Sequence, residues 1–493
     1  MSETVSLAHL ISRFETIHVL CLGDVMLDRF TYGSAARISP EAPIPVLGIS
    51  HQQSMLGGAG NVVRNILSLG GSATLVAVTG EDSEGREIRH LLGQEERLSD
   101  ALISSGKRPT TVKTRFIADG QQLLRADAEA THPLSPETAG KILSAFKVAL
   151  MDTDIVILSD YAKGVLSDEV LKKAISLASK AGKPVIADPK SVSFSRYAGV
   201  TLLTPNRKEM SAAADLPCDT DMHTETAARS VMKRDQIDAM LVTRSEAGMS
   251  LVTGSSATHI PAKAREVFDV SGAGDSVIAA LALAMGAGAE ISDAAALANL
   301  SGGVAVAKTG TAAVTRDELL AALHNEDVQA ADEKISSLTR AIEIIDGWRA
   351  RGLTVGFTNG CFDLIHPGHI SLIKQAKAEC DRLIIGLNTD DSIKRLKGPD
   401  RPATNETSRA IVLASLEDVD LVVPFTEDTP INLIETIKPD VLVKGADYTV
   451  ETVVGSDFVL SKGGRVHLAE LKEGFSTTRT IQRLLEIDKK KGL

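Results

Sequence analysis

Short runs of buried-type residues alternate with helix-patterned stretches along nearly the whole chain, and this alternation limits the fold more than any other feature. IHVLCLG (Ile17–Gly23), DIVILSD (Asp154–Asp160), KPVIAD (Lys183–Asp188) and AMLVTR (Ala239–Arg244) are almost continuously apolar, as strands covered by helices on both faces must be. Helical spacing falls between them, for example over Ser167–Ala181. The pattern predicts an α/β fold with largely parallel sheets. Two stretches depart from it. One is PVLGI (Pro45–Ile49). The other is the pair TVKTRFI (Thr111–Ile117) and QQLLRAD (Gln121–Asp127), joined by Ala118-Asp119-Gly120, a turn signal. Together they predict a small β-element projecting from the main sheet.

Around Asp317–Arg351 the texture becomes polar, charged and helix-favouring, and GLTVGFTNG (Gly352–Gly360) then restarts the alternation. Strands are predicted at DRLIIGLN (Asp381–Asn388), VDLVVPF (Val419–Phe425), DVLVKG (Asp440–Gly445) and GRVHLAE (Gly464–Glu470). We therefore expect a domain over residues 1–330, a helical linker over 331–351 and a second domain over 352–493. Composition removes several function classes. Lysine and arginine number 53 against 64 acids, a net charge of −11, which argues against a general nucleic-acid binder. Aromatics are 3% with Trp348 the one tryptophan, too few for stacking platforms on single strands. Cys21, Cys218, Cys361 and Cys380 form no C-x-x-C pair and no histidine cluster has zinc spacing, so no protein metal site is expected and a reducing cytoplasm fits. The N-terminus lacks a secretory pattern and no apolar run reaches ~20 residues, so no membrane span is expected.

The run EVFDVSGAGDSVIAALALAMGAG (Glu266–Gly288) carries the first chemical site. A β-like segment ends at Val267–Phe268, Gly272-Ala273-Gly274 follow, and an apolar helix begins at Asp275. Glycines at a helix entrance let backbone N–H groups approach an anion. An aspartate beside that anion can take a proton from a hydroxyl, or it can simply complement the helix dipole. DVSGAGD resembles the D-T-x-G-A-G-D signature of the ribokinase-like carbohydrate kinases, with Val270 and Ser271 in the middle positions. GGAGN (Gly57–Asn61) resembles that family's glycine-rich sugar motif, and TPNRKE (Thr204–Glu209) its N-x-x-E motif, in family order. The resemblance implies a three-layer α/β/α domain with a β-lid, Asp275 as catalytic base and Gly272, Ala273 and Gly274 as anion hole. It implies Asn206 and Glu209 organising Mg²⁺ and ATP phosphates, and Gly58 and Asn61 at the sugar. There is no Walker A motif, so the phosphates need this other design.

Asp24 and Asp28, just past the first strand in GDVMLDRF, are candidate sugar ligands, because carboxylates accept two hydrogen bonds from a polyol and ligands bind at that sheet edge. Either can instead cap a turn. Lys163 in SDYAKG and Lys190 in ADPK sit past strand ends as candidates for a phosphate already on the substrate. The hairpin with Lys113, Arg115 and Arg125 is the expected lid. In the resembled family such lids often dimerise, so a homodimer is expected.

NGCFDLIHPGHISLIKQAK (Asn359–Lys377) carries the second site: a strand end, a loop and a helix starting near Pro367. His366 and His369 aim two imidazoles and free helix N–H groups at one anion, and with no third ligand at suitable spacing zinc is the weaker reading. The run resembles the cytidylyltransferase-like nucleotidyltransferases, whose hallmark is H-x-G-H. GLNTDDS (Gly386–Ser392) and EGFSTTRTI (Glu473–Ile481) match further segments of that superfamily in order. The resemblance implies a Rossmann-like domain in which both histidines stabilise charge on the α-phosphate and the leaving pyrophosphate. It places Phe357, Asn359, Gly360, Lys444, Ser476, Thr477, Thr478 and Arg479 on the nucleotide, although Ser-Thr-Thr is also a plain helix cap. The two together resemble the bifunctional heptose family of lipopolysaccharide precursor synthesis, a sugar-phosphate kinase fused to an adenylyltransferase, both using ATP. Another sugar or polyol kinase fused to a cytidylyltransferase, and a non-catalytic nucleotide-binding scaffold, are the alternatives.

Overall fold

A computed structural model describes residues 3–262, 270–308, 312–446 and 448–470. The chain divides into two compact units, the second beginning at His324, within the helix Arg316–Glu333. The expected β-like segment at Val267–Phe268 and the Ser476–Arg479 motif lie outside the described residues.

Among the described residues the first unit has thirteen strands. They are β1 (His18–Gly23), β2 (Val25–Ile38), β3 (Pro45–Gly58), β4 (Ser72–Gly80), β5 (Leu98–Ser105), β6 (Val112–Ala118) and β7 (Gln121–Ala128). β8 (Ile155–Ser159), β9 (Val185–Asp188), β10 (Leu202–Leu203), β11 (Ala239–Thr243), β12 (Met249–Thr253) and β13 (Ala257–Ile260) follow. Nine of them form one sheet in the order β13-β12-β11-β10-β9-β8-β1-β4-β5. It is parallel except where β12 pairs antiparallel with β11 and with β13. The strands are apolar throughout because both faces are covered. Val19, Cys21, Ile155 and Ile157 enter one core with the helices Ala59–Ser68, Ala273–Gly286 and Ile291–Val306. Leu20, Leu22, Val156 and Leu158 enter the other with Pro136–Ala149, Asp168–Lys180 and Asp221–Asp235. The all-round apolar Ala273–Gly286 helix is buried almost along its length, which explains a sequence without a polar face.

The chain leaves β1 for β4 on one side and reaches β8 on the other, so the C-terminal ends of β1 and β8 flank the switch point where α/β sheets bind ligands. Above it stands a second sheet in the order β3-β2-β6-β7. The predicted hairpin is its β6–β7 half, turning at Asp119 and Gly120 with φ of 49° and 83°, the left-handed pair that a tight two-residue hairpin requires. Pro45–Ile49 proves to be the start of β3, a 14-residue strand paired with an equally long β2, a length the mixed polar sequence did not reveal.

Among the described residues the second unit has a five-stranded parallel sheet, β14 (Val355–Gly360), β15 (Arg382–Asn388), β16 (Leu421–Phe425), β17 (Val441–Gly445) and β18 (Arg465–Ala469), ordered β16-β15-β14-β17-β18. Its switch point lies at β14, whose end leads into the H-x-G-H loop. The stretch 331–351, expected as a linker, is built into this unit. Ile335 bridges to Val422, and the helix Leu338–Arg349 buries Ala341, Ile345 and Trp348 in the unit's core. Spacings of four and seven residues put these three on one helical face, which the surrounding charges masked.

Candidate active sites

In the first unit the glycine-rich entrance does what its composition allows. Gly272 caps the helix Ala273–Gly286 at φ 77°, so the helix starts two residues before the expected Asp275 and places that aspartate in its first turn, buried. Two neutral donors hold the carboxylate: Asn61 Nδ2 at 2.6 Å from Oδ2 and the Tyr161 hydroxyl at 2.6 Å from Oδ1. Burial raises the Asp275 pKa to about 6, against the two hydrogen bonds that favour the ionised form. Burial and the Asp275 charge push the Tyr161 phenol well above its ordinary range, so it remains a donor. A carboxylate that ionises near neutrality at the mouth of a helix N-terminus is suited to accept a hydroxyl proton beside a bound phosphate.

Asn61 reaches this point because β3 turns sharply into its helix at Gly58. There φ is 58°, and an added Cβ would meet the Asp24 carbonyl at 2.4 Å. The remaining expected residues sort into three groups. Lys190, Asn206, Glu209, Gly272, Gly274 and Asp275 line one pocket, with Ala273 between two of them in the chain. Asn206 and Glu209 form a capping box at the start of the helix Arg207–Ala214, and Lys190 Nζ lies 3.2 Å from Glu209 Oε1. Lys190 is thus on the side of Asn206 and Glu209, not with the sugar candidates. Asp28 faces the lid, where Arg115 Nη1 holds it at 2.5 Å.

Asp24 departs furthest from expectation. Its carboxylate accepts the backbone N–H groups of Tyr161, Lys163 and Val165 at 3.0, 3.0 and 3.1 Å. It fixes the turn after β8, with Ala162 and Gly164 at positive φ, and thereby aims Tyr161 at Asp275. Lys163 Nζ is paired with Glu129 at 2.8 Å. Two residues were missed by sequence reasoning. Tyr161 lies inside the SDYAKG segment read for its lysine. Asp188 ends β9 in ADPK and lines the same pocket; burial raises its pKa well above the carboxylate range, and Asp275 and Glu209 add to the shift.

In the second unit His366 caps the helix Pro367–Ala378, and its ring stacks on that of His369 with centroids 3.8 Å apart. Pro367 occupies the first helical turn, where a missing N–H is harmless. Burial lowers both histidine pKa values, and for His369 the neighbouring His366 and Lys397 help bring it to about 4. Both rings are therefore neutral near pH 7 and offer N–H donors without mutual repulsion. Lys444 Nζ reaches from the end of β17 to the Asn359 carbonyl at 2.9 Å, joining two expected nucleotide residues across the switch point. The Asn359 amide oxygen is buried with no hydrogen-bond partner among the described residues. The Phe357 side chain is buried in the unit's core. Gly360 ends β14, where an added Cβ would stand 3.1 Å from the Phe362 ring.

The loop is braced by two residues the motif search passed over. Asp363 takes Arg401 Nε at 2.5 Å and the N–H groups of Ala403 and Thr404. Arg409, fully buried, donates to the carbonyls of Cys361, Asn388 and Thr404 and to Asp390 Oδ1 at 2.6 Å. Five donors on one planar group let it tie the ends of β14 and β15 together.

Residues 16–318 match the family model described as pfkB family carbohydrate kinase, and residues 357–483 that described as cytidylyltransferase-like. The chain is 54% identical to the bifunctional protein HldE of Rhodospirillum rubrum over 98% of each chain. It is 56% identical to that of Caulobacter sp. (strain K31), covering 97% of this chain and 98% of the relative. Phosphofructokinase-2 from Escherichia coli, solved in complex with potassium, superposes with a TM-score of 0.53 at 23% identity, over 63% of this chain and 98% of that one. At that identity the match shows the fold alone, a ribokinase-like α/β unit with its lid. Identity near one half over almost the full length of both chains, with the two motif sets in order, shows that the chain belongs to the family of bifunctional HldE proteins.

Proposed function

We propose that the first unit phosphorylates D-glycero-β-D-manno-heptose 7-phosphate at O1 with ATP, and that the second transfers AMP from ATP to heptose 1-phosphate, giving ADP-heptose and pyrophosphate for lipopolysaccharide core synthesis. The observation that carries the first reaction is Asp275, buried, held by Asn61 and Tyr161, and placed in the first turn of a helix entered through glycine. It takes the O1 proton as the sugar oxygen attacks the γ-phosphorus, and ADP leaves with the bond it breaks. Helix N–H groups offset the charge on the transferring phosphoryl group. The second reaction needs no covalent enzyme intermediate: a phosphate oxygen of the sugar displaces pyrophosphate from the α-phosphorus, and His366, His369 and Lys444 supply donors and charge. Magnesium fits as a partner of the ATP phosphates, and Asp188 and Glu209 are the carboxylates that would face it in the first unit. When bound it neutralises phosphate charge.

Among the described residues no helix is long and apolar enough to cross a membrane. Leu123 and Leu124 are exposed on the lid edge strand β7, which supports a homodimer through that sheet. The test is a mass-spectrometric product assay with heptose 7-phosphate, ATP and an added phosphatase. Asp275→Asn should abolish the 1,7-bisphosphate while ADP-heptose still forms from supplied heptose 1-phosphate, and His369→Ala should do the reverse. A folded variant losing both activities, or wild-type preference for CTP or an unphosphorylated pentose, overturns the proposal.

A further inference from the structure

The H-x-G-H loop holds one residue in a costly conformation. Phe362 has a φ of 44°, the left-handed region that a bulky side chain avoids, and its side chain is buried. Ties on both sides keep it there. The Cys361 carbonyl accepts from Arg409 Nη1 at 2.7 Å, and Asp363 is held by Arg401 and by the N–H groups of Ala403 and Thr404. A strained backbone that its neighbours overdetermine, inside the loop carrying both histidines, points to a task for that residue.

The surroundings of the ring define the task. It lies against Gly360, where an added Cβ would stand 3.1 Å from ring carbon Cε2, so the glycine leaves the space that the ring fills. The same ring meets His369, with centroids 5.1 Å apart and planes inclined by 57°. His369 in turn stacks on His366 at 3.8 Å and 18°. Phe362 also shares a buried core with Leu387 of β15 and Leu413 of the helix Glu406–Ala414, so it is a fixed wall. Two imidazoles can offer donors to one phosphate only while their planes keep a set relation, and a rigid aromatic neighbour supplies that constraint.

We infer that Phe362 is a positioning residue for nucleotidyl transfer: its ring, fixed by the strained backbone and seated against Gly360, sets the plane of the His369 imidazole against that of His366. The inference rests on the proposed adenylyl transfer for the reaction served, but not for the geometry imposed on His369. A leucine would fill the core here, yet it lacks the flat face and edge that hold a second ring at a tilt. The same wall keeps water from His369. Burial is the first cause of that histidine's lowered pKa; His366 and Lys397 add to it, and a hydrogen bond with the Leu364 backbone opposes it.

The test compares the full-length protein with Phe362→Leu, Gly360→Ala and Leu413→Ala, the last a control for lost packing in the same core. Phe362→Leu should cut kcat of adenylyl transfer about 100-fold, the cost of a ~1 Å misplacement, while KM for ATP changes less than about threefold. NMR titration of the unliganded protein should show the His369 pKa rising from about 4 toward 6.5 in Phe362→Leu. Gly360→Ala, which pushes the ring aside, should move it in the same direction. Leu413→Ala should lower the melting temperature and leave His369 as in the wild type. An unmoved His369 in both Phe362→Leu and Gly360→Ala, an equal shift in Leu413→Ala, or a raised KM for ATP with kcat kept overturns the inference. If the wild type transfers a nucleotide other than AMP, the adenylyl reading fails, and Phe362 is then judged by the same titration, which needs no substrate.

Discussion

Removing the Tyr161 hydroxyl while keeping its ring should move the pH dependence of the kinase rather than simply weaken it. Tyr161→Phe deletes one of the two donors that favour ionised Asp275. A hydrogen bond to a charged acceptor is worth about 1.5 kcal/mol, or about one pH unit. Loss of a donor to the charged form raises an acid's pKa, so the acidic limb of kcat/KM should move from about 6 toward about 7. Activity relative to wild type then falls about threefold at pH 6.5 and recovers by pH 8.5, because both enzymes are fully ionised there. The assay is initial-rate kinase turnover at subsaturating sugar from about pH 5 to 9. The sugar phosphate itself titrates near 6, so the quantity to read is the variant-to-wild-type ratio, from which the substrate's own ionisation cancels. A ratio that stays constant with pH would refute the argument, since it would mean that Tyr161 acts through packing and not through the base.

The nucleotidyltransferase histidines should behave oppositely to surface ones. Imidazole resonances followed by NMR should show His369 neutral down to about pH 4, since a lowered pKa means the cation appears only below it; titration near 6.5 in the unliganded protein would contradict the burial argument. Arg409→Leu should destabilise the second unit by about 3 kcal/mol or more, because three carbonyls and Asp390 lose their partner. Thermal unfolding should register this as a lowered transition with adenylyl transfer lost and kinase activity kept, and an unshifted melt would show the arginine to be dispensable.

Much of the fold was legible because its signals are local. Strand runs such as Ile155–Ser159 are apolar on both faces, and Ser167 caps its predicted helix through the Val170 N–H. The glycine entrance at Gly272 and the H-x-G-H loop are likewise motifs whose geometry is set within a few residues. The lid's extent was less visible. β2 and β3 are half-exposed ribbons held by pairing with each other, so their residues need not be apolar.

What the sequence determined by itself is the order of two catalytic motif sets on two α/β units, since motif spacing and strand pattern depend on near neighbours. Tertiary structure alone decided which polar groups meet. Asp275 is 214 residues from Asn61 and 114 from Tyr161, and only the crossovers of the parallel sheet bring the three together. The same crossovers brought the Asp24 carboxylate to the backbone N–H groups after β8. The physical reason is common to all: a carboxylate or an ammonium takes its character from burial and from the charges brought beside it, and distant chain segments supply both.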